Sequence, residues 1–228
     1  MEGFLMNIKC LIFDCDGLMF NTEYYSRENW LNVGRKYNIP MDDELFKQII
    51  GAGATHFQKV MESRPDIQKH LPEIRANRAA ALNKGIEEHG NINKKGLVEL
   101  LTYLNQPGQY KVCIASSSSC EYVKRLVSTI GYDYPFDAII GGDMVKNAKP
   151  DPEIFLKAAQ MVQVSPENCL VLEDSKLGHI AAKEAGMHRM FIQDLIEPDE
   201  QFKTLIEHQR NDLSEVIDFL ITTNGPQQ

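Results

Sequence analysis

The sequence predicts an α/β protein: a doubly wound parallel β-sheet flanked by helices, with an all-helical insert near its start. Three observations lead there. Residues 8–13 (IKCLIF) form an apolar run of strand length that breaks off at Asp14-Cys15-Asp16-Gly17. A run apolar on both faces suits a central strand covered by helices on each side. Residues 23–91 then hold no convincing strand, and from Lys94 onward strand-like and helix-like stretches alternate, as parallel sheets require.

Thr22 is placed to cap a helix over residues 23–37, with Trp30, Leu31 and Val33 among its apolar positions and Pro40 as its stop. Residues 42–50 and 55–62 read as short helices separated by Gly51-Ala52-Gly53. A longer helix covers residues 72–88, and Gly90-Asn91 closes it. In the alternating part, helices are expected over residues 96–104, 121–130, 152–162, 176–185 and 213–221. Strands are expected over residues 110–115, 138–140, 169–172 and 189–192, the last of these ending the sheet. Pro152 opens its helix and Gly186 stops another. Residues 1–7 read as a frayed leader and residues 222–228 as a loose polar tail.

Composition narrows the function classes. The 228 residues are 43% hydrophobic and 25% charged, which suits an ordinary globular protein with a sizeable core. A net charge of −8 and the lack of a basic stripe argue against a nucleic-acid surface. No apolar run is long enough to span a membrane, and MEGFLMNIK lacks the pattern of a secretory signal. The five cysteines have no C-x-x-C spacing and read as reduced thiols of a cytoplasmic protein. A monomer is expected.

The chemistry lies at strand ends. Three apolar strands finish in Asp14/Asp16, in Ser116, and in Glu173/Asp174, and parallel strands bring those ends to one sheet edge. Lys149, in the loop Lys149-Pro150-Asp151-Pro152, can reach the same edge. Two carboxylates side by side repel unless a cation or proton sits between them. A carboxylate cluster with one hydroxyl and one Lys suits a hard cation plus a phosphate, and Mg²⁺ commonly binds through carboxylates together with substrate phosphate. At an effective dielectric near 20, two unit charges about 4 Å apart interact by about 4 kcal/mol, so a phosphate approaching Asp14 needs Mg²⁺ and Lys149 to offset the repulsion.

FDCDGLMFNTE, IASSS, AKPDPEIF and VLEDSKLGHIAAKEAGM resemble, in order and spacing, the four motifs of the haloacid dehalogenase superfamily of phosphotransferases. The likeness is to its β-phosphoglucomutase-like and pseudouridine-5′-phosphatase-like branch. It spans residues 8–192. It implies a Rossmann-like core of residues 1–20 and 93–228 and a helical cap over residues 21–92. It also implies roles. Asp14 would be the nucleophile that forms an aspartyl-phosphate. Asp16 would act as general acid and then base, with its backbone carbonyl on the metal. Ser116, Ser117 and Lys149 would bind the phosphoryl group. Asp14, Asp16, Asp174 and Glu173 would form the Mg²⁺ site, with Glu173 acting directly or through water. Asn21, Ala54 and His56 are candidate specificity positions.

The chain departs from that pattern in places. Asn21 stands where the branch usually has Asp at the hinge. Ser119 and Cys120 stand where the mutase has Lys and Asn. Gly51-Ala52-Gly53-Ala54 lacks the Arg with which the mutase grips a second phosphate. Arg75, Arg78 and Lys84 read as a solvated helix face. The implied function is therefore a Mg²⁺-dependent phosphatase acting on a small phosphomonoester, a sugar phosphate or nucleotide-like molecule. A sugar phosphomutase is the alternative, and a phospho-accepting signalling domain is a distant one. Dehalogenase chemistry is disfavoured, since it does without the second Asp and the metal.

Overall fold

The computed structural model describes residues 6–50, 54–106, 108–195 and 197–224. The chain divides into two compact units, residues 21–92 and the remainder on either side.

Strand β1 is Cys10–Phe13, and all four of its residues are buried, as a strand covered on both faces must be. The helical unit follows with α1 (Thr22–Tyr37), α2 (Asp43–Ile49), α3 (Ala54–Ser63), α4 (Pro65–Gln68) and α5 (Leu71–His89). Trp30, Val33, Met41, Leu45, Phe46, Met61 and Ile67 form its core. Helices α1 and α5 approach closely at Gly85, where a Cβ would sit 2.3 Å from the Tyr25 ring. Asn29 on α1 donates to the Ile74 carbonyl of α5 at 2.7 Å.

Two expectations here need correcting. Thr22 is no cap: it is fully buried as the first helical residue, and Asn21 holds the N-cap position without a side-chain cap bond. The stop of α1 is Asn38 in the left-handed region (φ 52°), not Pro40, because Asn tolerates that backbone better than most residues. Asp42 does cap α2, accepting from the Leu45 amide at 2.9 Å. The Gly51-Ala52-Gly53 break and the side chain of Ala54 lie outside the described residues.

The second unit continues with α6 (Leu97–Leu104), β2 (Lys111–Ser116), α7 (Cys120–Val127), β3 (Ala138–Gly141), α8 (Glu153–Met161), β4 (Cys169–Glu173), α9 (Lys176–Glu184), β5 (His188–Ile192), α10 (Glu200–Lys203), β6 (His208–Arg210) and α11 (Glu215–Asn224). Among the described residues every pairing between these strands is parallel, and the six lie in the order β3-β2-β1-β4-β5-β6. The order reverses direction at β1, between β2 and β4, which makes the carboxyl ends of these strands the natural ligand crevice. One sheet face packs Cys10, Ile12, Cys113, Cys169 and Val171 against Ile154, Phe155, Ala158 and Ala181 of α8 and α9.

The sheet does not end at β5. β6 adds a sixth strand that its sequence hides, since His-Gln-Arg on a half-exposed edge shows no apolar alternation. The short helices α4 and α10 escape notice for want of length. The tail is ordered as far as Asn224, against expectation. Asn224 accepts from the Ile8 amide at 3.0 Å and donates to the Ile8 carbonyl at 2.9 Å, tying α11 to the start of β1. Residues 1–5 and 225–228 lie outside the described residues. The five cysteines are thiols rather than disulfides, and among the described residues no helix is long and apolar enough to cross a membrane.

Candidate active site

Parallel register builds the site. Phe13 is level with Ile114 of β2 and with Leu172 of β4. The next residue on each strand is therefore Asp14, Ala115 and Glu173, side by side at one edge. The Asp14 amide donates to the Leu172 carbonyl at 3.0 Å, continuing the ladder to the point where chemistry begins.

Lys149 joins them from the loop before α8. Its ammonium donates to Asp14 Oδ1 at 2.5 Å, to Glu173 Oε1 at 3.1 Å and to the Ala115 carbonyl at 3.3 Å. The side chains of Lys149, Asp14 and Glu173 are only 5%, 10% and 1% exposed. The Phe155 ring lies 4.7 Å from the ammonium, a cation–π contact that strengthens in a desolvated place. Burial would lower the Lys149 ammonium, but Asp14 and Glu173 outweigh it and keep the group charged.

Glu173 is thoroughly engaged. Its Oε1 accepts from Lys149 and from the Ser175 hydroxyl at 2.9 Å, and its Oε2 from the backbone amides of Asp174 at 2.8 Å and Ser175 at 3.3 Å. Burial would raise its carboxyl, but Lys149 and these donors hold it below the usual range. Ser175 also caps α9, taking the Gly178 amide at 3.1 Å. A Cβ at Gly178 would fall 1.5 Å from Glu173 Oε1, so only glycine fits. Gly178→Ala is accordingly expected to push Glu173 off Lys149, costing about 1–3 kcal/mol of stability through overpacking and most of the turnover. Thermal melts and rates equal to wild type would refute that dependence.

The remaining carboxylates, Asp14 and Asp174, are less well compensated. Burial pushes the Asp14 carboxyl up to about 7; Lys149 opposes the rise, and Glu173 and Asp16 add to it. Asp174 is raised well above its ordinary value by burial and by Glu173, Asp14 and Asp194 around it. Asp14, Glu173 and Asp174 each offer an oxygen within 4.8 Å of the others. Three carboxylates against one ammonium leave two negative charges, the charge of one divalent cation. An all-oxygen donor set fits Mg²⁺ better than a softer metal.

Asp16 stands slightly apart and is partly exposed. The Ser118 hydroxyl donates to its Oδ2 at 2.7 Å and the Tyr122 hydroxyl to its Oδ1 at 3.1 Å. Neither partner is predicted from the sequence. In the serine run Ser117 and Ser119 are exposed, whereas Ser118 turns toward Asp16. Ser116 is buried, its Oγ accepting from the Ser118 amide at 3.1 Å. Ser119 caps α7 through the Tyr122 amide, at 3.3 Å. A period-two pattern extended past the strand end would have favoured Ser118 over Ser117, since 116 and 118 share a face.

Asn21 and His56 belong to the helical unit, Asn21 at the start of α1 and His56 exposed on α3. Arg75 and Lys84 are exposed on α5, and Lys84 pairs with Glu88 at 3.6 Å. A second acidic and imidazole cluster, His188, Glu207 and His208, lies toward the amino ends of β5 and β6, far along the strands from Asp14. There Arg189 also holds Glu207, at 3.1 Å.

A parallel sheet of this order, with carboxylates and a buried Lys at its switch point, defines an α/β enzyme site built for an anionic substrate. Residues 11–192 match the haloacid dehalogenase-like hydrolase family, and the chain belongs to it. It is 28% identical over 188 residues to the phosphorylated carbohydrates phosphatase of Thermotoga maritima, covering 81% of this chain and 84% of that one. It is also 28% identical over 179 residues to the fructose-1-phosphate phosphatase YqaB of Escherichia coli, covering 78% and 92%. In structure it resembles a β-phosphoglucomutase from Clostridium difficile, with a TM-score of 0.72 at 21% identity over 95% and 97% of the two chains. The shared fold is the Rossmann-like sheet with a helical cap.

Proposed function

We propose that this hydrolase is a Mg²⁺-dependent phosphatase of small phosphomonoesters, a sugar phosphate or nucleotide-like molecule, working through an aspartyl-phosphate on Asp14. The observation that carries this reading is the buried contact of Lys149 with Asp14 and Glu173, beside a carboxylate cluster two charges short of neutrality. The relatives named as phosphatases of phosphorylated carbohydrates support the substrate class. Five cysteines kept as thiols suit the cytoplasm, and we take the protein to act there as a monomer.

In this mechanism an Asp14 carboxylate oxygen attacks phosphorus and the ester P–O bond breaks. Asp16 gives its proton to the leaving oxygen. Water then attacks the phosphorus of phospho-Asp14, Asp16 takes the proton, and inorganic phosphate leaves with the carboxylate regenerated. Lys149 fixes the rotation of Asp14 and meets the phosphoryl oxygens, aided by Ser116 and, through the same loop, Ser117. Asp14, Asp174 and the Asp16 carbonyl would hold Mg²⁺, which when bound neutralises charge on the transferring group. With all its lone pairs already engaged, Glu173 acts mainly by holding Lys149. Ser118 and Tyr122 hold the Asp16 carboxylate and steer its swing. Asn21, Ala54 and His56 contribute to substrate choice in the cap.

The test is phosphate release from a panel of sugar phosphates, nucleotides and pseudouridine phosphate, with and without excess chelator. Release should require Mg²⁺ and exceed isomerisation of β-glucose 1-phosphate. Full turnover in chelator would refute the metal. Isomerisation tenfold faster than phosphate release would favour the mutase, with Arg78 or Lys84 replacing the missing Arg.

A further inference from the structure

Lys94 and Asp194 form an ion pair that the mechanism above leaves unused. Lys94 Nζ lies 2.7 Å from Asp194 Oδ1 and 3.5 Å from the Gln193 carbonyl. The two side chains are 15% and 7% exposed. Burying both charges is costly, and an apolar pair of the same size would hold the fold as well. The pair also leaves one atom bare: Asp194 Oδ2 is buried without a hydrogen-bond partner. Native proteins leave few such acceptors unless a role or an absent partner explains them.

The direction of that atom identifies the partner. A Cβ built on Gly17 would lie 2.5 Å from Asp174 Oδ2 and 3.0 Å from Asp194 Oδ2. The two oxygens therefore converge on one small volume. Gly17 keeps that volume open, and its positive φ of 81° further restricts the position to glycine. Asp194 thus adds an acceptor beside the carboxylate cluster, while Lys94 cancels its charge.

We propose that Asp194 is a positioning residue of the metal centre: Lys94 fixes Oδ1, and Oδ2 accepts a hydrogen bond from the hydration shell of the cation held by Asp174. This rests on the Mg²⁺ reading above. Mg²⁺ sheds its water reluctantly and keeps several molecules in protein sites. Partners of that outer shell typically contribute 10- to 100-fold in metal affinity. Asp194→Asn isolates the acceptor. Lys94 can only donate, so the amide oxygen takes the Oδ1 place and the NH₂ lands where Oδ2 was. An acceptor is thereby replaced by a donor facing the water.

The experiment is a Mn²⁺ titration followed by electron paramagnetic resonance of the free ion, without substrate, on folded wild type, Asp194→Asn and Lys94→Gln. Asp194→Asn should weaken Mn²⁺ binding about tenfold or more. Lys94→Gln keeps a donor on Oδ1 and leaves the acceptor ionised, so it should bind at least as tightly as wild type. Affinity within twofold of wild type in Asp194→Asn overturns the proposal. So does an equal loss in both variants, which would make the pair merely structural. Wild type that binds no Mn²⁺ overturns the metal reading together with this one, whereas the first two results leave that reading standing. Should Asp194→Asn fail to fold, Asp194→Glu keeps the charge and displaces the acceptor by one methylene. Weaker binding then supports the proposal, and unchanged binding overturns it.

Discussion

Asp14→Asn should lower phosphatase turnover by about 10⁴-fold or more, the scale seen when an enzyme loses its nucleophile. An amide oxygen is too weak a nucleophile to open the ester, and the phospho-enzyme cannot form. The fold should survive, because Lys149 keeps Glu173 at 3.1 Å and the Ala115 carbonyl at 3.3 Å. Removing a carboxylate that burial already pushes up to about 7 also relieves charge crowding. The melting temperature should therefore change little. Asp16→Asn makes the contrast, since it should still accept a phosphoryl group slowly from a donor with a good leaving group and then fail to hydrolyse it. Rapid-quench labelling with radioactive phosphate separates the two. Label retained on Asp14→Asn would rule out Asp14 as the acceptor.

Lys149→Met should be the most destabilising change at the site. It leaves Asp14 and Glu173 buried at 10% and 1% side-chain exposure without their shared cation. Removing one partner from a buried pair costs about 3–5 kcal/mol, and at this chain length 3 kcal/mol is roughly 6–12 °C of melting temperature. The pH dependence has a definite sign. Without Lys149 the Asp14 carboxyl rises further, and Glu173, no longer held below the usual range, is pushed up by burial and mutual repulsion. A carboxyl raised in the folded state binds protons more readily there than in the unfolded chain, so lowering the pH favours the fold. The deficit against wild type should shrink as the pH falls from 8 toward 5, and Mg²⁺ should reduce it at pH 8. Thermal melts over that range, with and without Mg²⁺, read both effects. A deficit that stays constant would mean that Lys149 acts by packing on Phe155 rather than by charge.

Much of the site can be read in the chain because each part sits where a strand stops. Asp14 follows Phe13, Ser116 ends β2, and Glu173 ends β4. A buried apolar run that terminates in carboxylates is a local signal. So is Lys149 ahead of Pro150 and Asp151. Ser118 and Tyr122 are harder to find, because a hydroxyl in a loop shows no sign of the distant residue it faces. Asp194 is harder still: it follows β5 as an ordinary loop Asp, and its Lys lies 100 positions earlier.

Local sequence is enough for the alternation of strands and helices, the helical insert and the strand-end residues, because each depends on neighbours within a few positions. It did not determine which strand ends meet. The order β3-β2-β1-β4-β5-β6 brings β1 between β2 and β4, and only then do Asp14 and Lys149 touch across 135 positions and Asp16 and Ser118 across 102. Such pairings follow from packing of helices on both sheet faces, a long-range cooperative choice that no local pattern encodes. The edge strand β6 shows the same division. Its three residues are held by pairing with β5 rather than by their own preference, so only the tertiary structure made it a strand.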